Sequence, residues 1–230
     1  MKKTLMVLMM VMIAAMLIVS CDNKTEEPEG LHVGGKGPAG GYIFYDCDAD
    51  NDSTNDGAGP DGLKSSVCGW RFIEAASADL SAEYCFGYYK VFTGAVGTNY
   101  NVGATATAIG TGKDNTEKLV DTLGETAYRW SGTAATEKAE YAAKKCADYT
   151  ENGFDDWYLP SKDELEKMYT VLYKAGIGNM KADEYYWSST EIMENARSYA
   201  YRLNIKDKKF DESDRDFQHN VRPIRYVKAD

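Results

Sequence analysis

The strongest candidate for a chemical site in the sequence is a run of aspartates in the polar segment 46–61. Carboxylates two residues apart in a loop can converge on Ca²⁺, which takes six to eight oxygen ligands at about 2.3–2.6 Å. The predicted calcium ligands are Asp46, Asp48, Asp50, Asp52 and Asp56. The spacing is not that of an EF-hand, because Asn51 and Gly57 replace the turn glycine and the bidentate glutamate. The alternative is a solvated acidic loop whose charges are screened by salt.

Cys21 follows a segment that is typical of a secretory signal peptide. Two lysines precede an apolar run at 5–19, which as a helix would span roughly 22 Å, short of the ~30 Å hydrocarbon core of a bilayer. The run ends Ile-Val-Ser directly before the cysteine, like the lipobox of bacterial lipoproteins. We therefore predict a cleaved signal peptide at 1–20, acyl chains such as palmitate on Cys21, and a flexible tether at 21–30. An uncleaved signal anchor is the less favoured alternative.

The charge balance bears on which partners the protein can contact. The formal net charge is −10, and loss of the signal peptide would remove two further lysines. Nucleic acids and anionic headgroups attract basic patches, so neither is a predicted partner.

The predicted location is the bacterial cell envelope, with the lipid anchor in the outer membrane or at the cell surface rather than in the inner membrane.

Four cysteines remain beyond the lipidation site. An even number in an exported protein predicts two disulfides. We favour the pairs Cys47–Cys68 and Cys85–Cys146, although the sequence alone leaves three connectivities open.

Few residues are candidates for catalysis. The two histidines, His32 and His219, lie in a turn and in a polar stretch, where surface positions are expected. The sequence has no CxxC pair for zinc and no GxxxxGK[ST] loop for phosphate. We therefore predict that the protein is not an enzyme and has no cofactor other than the calcium proposed above.

The elements that position these residues are strands at both ends of the chain and helices between them. Strands are predicted at 42–45, 70–75, 185–190, 198–206, 209–211 and 221–227, and helices at 115–123, 133–149 and 161–172. This order predicts an α+β single domain over residues 31–230, with small antiparallel sheets and two or three helices.

The helix at 161–172 has the clearest start signal. Ser161 and Glu164 have the spacing of a capping box, and an apolar stripe follows at helical spacing. Just before it, Trp157, Leu159 and Pro160 form a distinctive motif, which we interpret as structural rather than as a binding site.

The last part of the chain contains three further residues of structural interest. Trp187 is predicted to be a buried residue on a strand. Arg222 and Arg225 are three apart in a strand, so they should project to opposite faces and should not clamp one anion together. Pro223 between them predicts an edge strand or a bulge.

Four sequence blocks, taken in order, resemble the Lcl C-terminal domain family of bacterial lipoproteins and surface proteins. The blocks are GPAGGYIF at 37–44, DWYLPSKDEL at 156–165, YWSST at 186–190 and VRPIR at 221–225. The resemblance implies a C-type-lectin-like fold that is distantly akin to the formylglycine-generating enzymes. Those enzymes use a cysteine pair near their C-terminal end, whereas here no cysteine follows Cys146. The same resemblance marks 46–68 as an acidic insertion.

The resemblance also favours one class of function. It implies a non-catalytic binding module for a glycan or a surface protein. Two alternatives stay open from the sequence: a structural envelope lipoprotein, and an enzyme of unknown reaction.

Overall fold

A computed structural model describes residues 30–49, 61–87, 102–126, 129–130, 135–136, 140–192 and 199–228. The predicted signal peptide and most of the tether lie outside these residues, as does the acidic segment 50–60. Within the described ranges, no helix has both the length and the apolar character that a bilayer span requires.

Ten short strands and four α-helices are present in the described residues. The strands are β1 Tyr42–Asp46, β2 Phe72–Ala75, β3 Tyr84–Cys85, β4 Arg129–Trp130, β5 Ala135–Thr136, β6 Tyr185–Ile192, β7 Tyr199–Asn204, β8 Lys209–Asp214, β9 Gln218–His219 and β10 Ile224–Val227. The helices are α1 Ser65–Cys68, α2 Gly112–Leu123, α3 Ala142–Ala147 and α4 Lys162–Met168. A 3₁₀ turn, Gly124–Thr126, extends α2, and a π-helical turn, Tyr169–Tyr173, extends α4.

The strands form small antiparallel sheets. One sheet has the order β1-β2-β10 and another the order β6-β7-β8, while β3 pairs with β9 and β4 with β5. The predicted α+β class with small antiparallel sheets is therefore confirmed. The fourth helix, which the sequence did not indicate, is the single turn α1 in the polar stretch before β2.

The first and last parts of the chain meet in the sheet β1-β2-β10. Central strand β2 pairs with both neighbours, so Glu74 stands opposite Ile43 on one side and Arg225 on the other. Strand β10 lies at an edge of this sheet, as the proline at position 223 predicts. The carbonyl oxygen of Pro223 still accepts a hydrogen bond from the N–H of Ala76.

Two of the four apolar clusters in the described residues are large. The larger cluster lies between the sheet β1-β2-β10 and α4, and it contains the whole predicted stripe of that helix, Leu165, Met168, Tyr169 and Leu172. The second joins α2 and α3 to β6, and its largest member is the fully buried Trp187. Burial of these side chains is the main stabilising term of the fold.

The predicted helix at 133–149 is wrong at Ala135–Thr136, which form β5. Among the described residues of this stretch, Ala142–Ala147 are helical. Tyr141, just before the helix, is fully buried and forms a parallel bridge with Cys85. This tertiary contact needs extended backbone, and it overrides the helix propensity of an alanine-rich stretch.

The helix predicted at 161–172 begins as expected but changes its winding. After Met168 the N–H of Lys174 bonds to the carbonyl of Tyr169, five residues back, and the rings of Tyr169 and Tyr173 stack at 5.1 Å. Gly176, with φ of 70°, then adopts the left-handed backbone that commonly follows a helix end.

Candidate binding groove

A buried glutamate on β2 organises the first wall of the site. Glu74 is fully buried, and its carboxylate accepts hydrogen bonds from the N–H groups of Ala39, at 3.1 Å, and Gly41, at 2.9 Å. It also pairs with Nη1 of Arg225 at 3.1 Å. Burial raises the pKa of Glu74 even though these partners act to lower it.

The glycine-rich block at 37–41 is shaped by this carboxylate. A Cβ atom on Gly37 would collide with the side chain of Glu74, and one on Gly41 would collide with the carbonyl oxygen of Ala75. Side chains at these positions would push the loop away from the glutamate that holds it. The block is therefore required for packing.

Arg225 carries the network from the interior to the surface. Its Nε and Nη2 contact the two carboxylate oxygens of Asp156 at 2.6 and 3.0 Å. The guanidinium lies over the ring of Phe154, 4.1 Å from the centroid. Burial acts to lower the pKa of Arg225, but the hydrogen bonds to Asp156 and Glu74 raise it above its ordinary value. The side chain of Asp156 is 44% exposed, so this end of the network reaches solvent.

A second buried glutamate holds the opposite wall. Glu164, in the first turn of α4, is fully buried and accepts hydrogen bonds from the N–H groups of Ser161, at 2.7 Å, and Gly110, at 3.0 Å. With Ser161 it forms the capping box that the sequence predicts. Burial raises the pKa of Glu164 to about 7. A Cβ atom on Gly112 would collide with this carboxylate, so the first position of α2 also needs glycine.

Aromatic rings connect the two walls. The rings of Trp70 and Tyr226 stack at 4.6 Å with an interplanar angle of 4°, and Tyr158 packs on Tyr226 at 4.9 Å. The hydroxyl of Tyr226 donates to the carbonyl of Gly110 at 2.8 Å, so β10 is tied directly to the second wall. Burial raises the pKa of Tyr226, and its hydroxyl stays protonated at neutral pH.

These walls enclose a surface groove of about 920 Å³, which we call the β10 groove. Its apolar lining includes Leu31, Leu63, Trp70, Ile109, Phe154 and Tyr226. Its charged lining consists of Lys113, Asp114, Asp156, Arg225 and Lys228. A cleft of this size with an apolar lining and a few fixed polar groups is typical of small-ligand sites.

Residues 110–225 match the model of the Lcl C-terminal domain, which covers about half of the chain. The chain belongs to the Lcl C-terminal domain family. No curated protein matches the sequence. The matched segment contains the wall at Gly110–Asp114, the exposed Asp156 and the connecting Arg225. Glu74 and the glycine-rich block precede it.

A third buried glutamate of this Lcl C-terminal domain repeats the arrangement outside the groove. Glu191 on β6 accepts hydrogen bonds from three successive N–H groups at 102–104, and it pairs with Arg215 at 2.8 Å. Buried carboxylates that bind backbone N–H groups thus fix three separate loops. None was identified from the sequence as a loop anchor, because one glutamate looks like another in an acid-rich chain.

The predicted calcium ligands are only partly described. Asp46 accepts two hydrogen bonds from Arg71, each at 3.1 Å, and Asp48 accepts from the N–H and hydroxyl of Ser65. Partial burial acts to raise the pKa of Asp48, but the bonds from Ser65 outweigh it and the pKa is lowered. The other three ligands, Asp50, Asp52 and Asp56, lie outside the described residues. Among the described residues no cluster of three metal-ligating side chains occurs, and the calcium site stays a prediction.

The two predicted disulfides do not form in the structure. Cys47, Cys68, Cys85 and Cys146 are not joined by disulfide bonds. The Cys47 thiol donates to the carbonyl of Trp70 at 3.2 Å, and burial raises its pKa to about 12. Cys85 and Cys146 are buried in the second apolar cluster, where a thiol packs as a small apolar group.

The motif before α4 packs in the interior. Trp157 is buried and donates to the carbonyl of Phe154 at 3.0 Å, while Leu159 belongs to the second apolar cluster. Pro160 accepts a hydrogen bond from the N–H of Ser189. These residues stabilise the base of the site and are absent from the lining of the β10 groove.

The two arginines of the VRPIR block have separate acidic partners. Arg222 is buried and its Nε donates to Asp79 at 2.7 Å, whereas Arg225 pairs with Glu74 and Asp156. They share no acidic partner, and Arg222 lies before β10, so the two do not belong to one strand as predicted.

The expected surface position of His219 is wrong. The residue is buried on β9, where its ring packs on Trp187 at 4.5 Å. Its Nε2 lies 2.9 Å from the Ser213 hydroxyl and 3.2 Å from Nη1 of Arg202. Burial first, and Arg202 second, lower the pKa of His219 to about 3, so the ring is neutral. The alternation of β9 is too short for the sequence to show this burial.

Proposed function

We propose that this protein is a non-catalytic binding module of the bacterial cell envelope, anchored by lipid on Cys21, and that it binds a glycan in the β10 groove. The observation that carries the proposal is the groove itself. Aromatic side chains line it beside charged groups that the protein holds in place. Saccharide rings have one apolar face and a rim of hydroxyls, and this combination complements them.

The residues on the groove support binding rather than catalysis. Arg225 and Glu74 are engaged with each other in the interior, and the Tyr226 hydroxyl is bound to a backbone carbonyl. The Ser213–His219 pair is buried and is not part of the groove lining. A general base must reach the proton that it abstracts, and these groups are occupied or distant.

The distribution of exposed apolar side chains favours a glycan as the ligand over a protein partner with a flat interface. Within the described residues the exposed large apolar side chains are Val33, Val67 and Phe217, which are single residues in different parts of the chain. Protein interfaces usually have an apolar, aromatic-rich centre. Within the described residues the β10 groove brings several apolar side chains together, which these single residues do not.

A tryptophan at Thr111 tests the proposal. Thr111 is half-buried on the groove wall before α2, and its side chain does not cap that helix. We expect T111W to fill part of the groove and to weaken the binding of any glycan by at least about tenfold. The matched control is T122W, at an exposed position on the same helix.

Binding is measured with the full-length protein in a detergent that has no sugar headgroup, first on a glycan array and then by calorimetry with the best oligosaccharide. Melting temperatures of both variants establish that they are folded. Equal binding by T111W and the wild type would show that the ligand occupies another surface and would refute the proposal.

A further inference from the structure

We infer that Asp156 determines the ligand class of the β10 groove by accepting hydrogen bonds from two neighbouring hydroxyls of a neutral saccharide. The inference rests on the proposed function, since it concerns the same groove. It adds a residue, an interaction and a restriction on the ligand.

The first step is that the Asp156 carboxylate is held in one orientation. Both of its oxygens accept from Arg225, at 2.6 and 3.0 Å. Arg225 is itself fixed by buried Glu74 and by the ring of Phe154. A carboxylate oriented in this way loses little conformational entropy when a ligand binds.

The second step is that Asp156 keeps acceptor capacity for a ligand. A carboxylate offers roughly four lone-pair directions, and Arg225 uses one on each oxygen. The side chain is 44% exposed and lines the groove. About one lone-pair direction on each carboxylate oxygen is therefore available to a ligand. These two adjacent acceptors match the two O–H donors of a vicinal diol.

The third step concerns charge. Arg225 lies between two carboxylates, so the group formed with Glu74 and Asp156 has a net charge of −1 when all three are ionised. On the groove rim Asp114 is accompanied by Lys113 and Lys228. The charged lining residues sum to +1, and buried Glu74 behind Arg225 brings the sum to zero, so a carboxylate or sulfate beside Asp156 meets no net attraction and is repelled by Asp156 itself. A neutral, hydroxyl-rich saccharide fits, and an acidic one does not.

The test compares D156N with D155N in the full-length protein. Asparagine keeps the shape of the side chain but replaces one charged acceptor oxygen by a donor. Charge-assisted hydrogen bonds are worth about 1.5–3 kcal/mol, so D156N should bind a neutral oligosaccharide roughly 10- to 100-fold more weakly. D155N is the adjacent carboxylate that does not line this groove, and it should bind as the wild type does.

The probes are hexamers of β-1,4-linked glucose and of β-1,4-linked mannose, whose internal rings keep a vicinal diol, together with oligogalacturonate as the acidic counterpart. Melting temperatures separate a loss of binding from a loss of fold. For an independent readout, probes in which the vicinal hydroxyls are methylated should bind the wild type as weakly as D156N binds the parent sugars.

The outcomes distinguish this inference from the proposed function. Binding that T111W weakens and D156N leaves unchanged, or preferential binding of oligogalacturonate, would overturn the inference while the groove remains a glycan site. No binding of any saccharide by the wild type would overturn both.

Discussion

Replacing Glu164 by glutamine tests whether a buried carboxylate holds the second wall of the groove. Glu164 is fully buried, and this burial raises its pKa from 4.5 to about 7. A raised pKa means that the folded protein binds the proton more tightly than the unfolded chain does. The stability that Glu164 contributes is therefore present at low pH and is lost as the pH rises from about 4.5 to about 7.

The magnitude follows from the two pKa values. Their difference corresponds to about 3 kcal/mol of unfolding free energy. Roughly 2.5 kcal/mol of this falls between about pH 5 and about pH 8. Glutamine does not titrate, so the stability of the wild type relative to E164Q should decrease by that amount over this interval.

Urea unfolding followed by tryptophan fluorescence at the two pH values measures this change. The control is E166Q on the same helix, where the side chain is about half exposed and pairs with Lys208 at 3.8 Å. E166Q should keep the pH dependence of the wild type. If E164Q keeps it as well, the reasoning is refuted, because Glu164 would then ionise with its ordinary pKa.

Three further predictions concern the other charged and thiol groups. E74Q leaves Arg225 without its fully buried partner and should lower the unfolding free energy by about 3–5 kcal/mol in urea titrations. D46N loses a partly exposed ion pair with Arg71 and a predicted calcium ligand, so it should cost about 0.5–1 kcal/mol in excess EDTA and more in millimolar calcium. C21S should abolish the incorporation of labelled fatty acid in cells and move the protein out of the membrane fraction.

Each of these three predictions has a control variant and a result that would contradict it. E212Q, at an exposed position, should change stability by less than about 0.5 kcal/mol, and an equally small effect of E74Q would argue against the network. An equal loss by D46N in calcium and in EDTA would argue against the predicted calcium site at 46–56. C68S should still be lipidated, and lipidation of C21S would place the anchor elsewhere.

Local signals explain which parts of the fold could be predicted. The capping box at Ser161 and Glu164 and the apolar stripe after it are properties of one helix, and both are present. The extended backbone at Tyr141 could not be predicted from local signals, because its buried contact with Cys85 overrides the local helix propensity. A contact between residues this far apart leaves no local signal.

The β10 groove could not be predicted from the sequence for a similar reason. Its lining comes from five separate stretches of the chain, and the sequence does not state that Trp70 stacks on Tyr226. The glycines at 37–41 were recognised as a family block, yet their role depends on Glu74, more than thirty residues later. Positions where two glycines flank a small residue could have suggested a loop pressed against a side chain.

Hydrogen exchange of the full-length protein with a bound neutral oligosaccharide tests the central claim most directly. The β10 groove as a glycan site predicts slower exchange of backbone amides at 109–114, 154–156 and 225–228 when the sugar is present. Unchanged exchange there, with protection instead around a separate surface cleft that residues within 79–84 and 145–149 line, would contradict it.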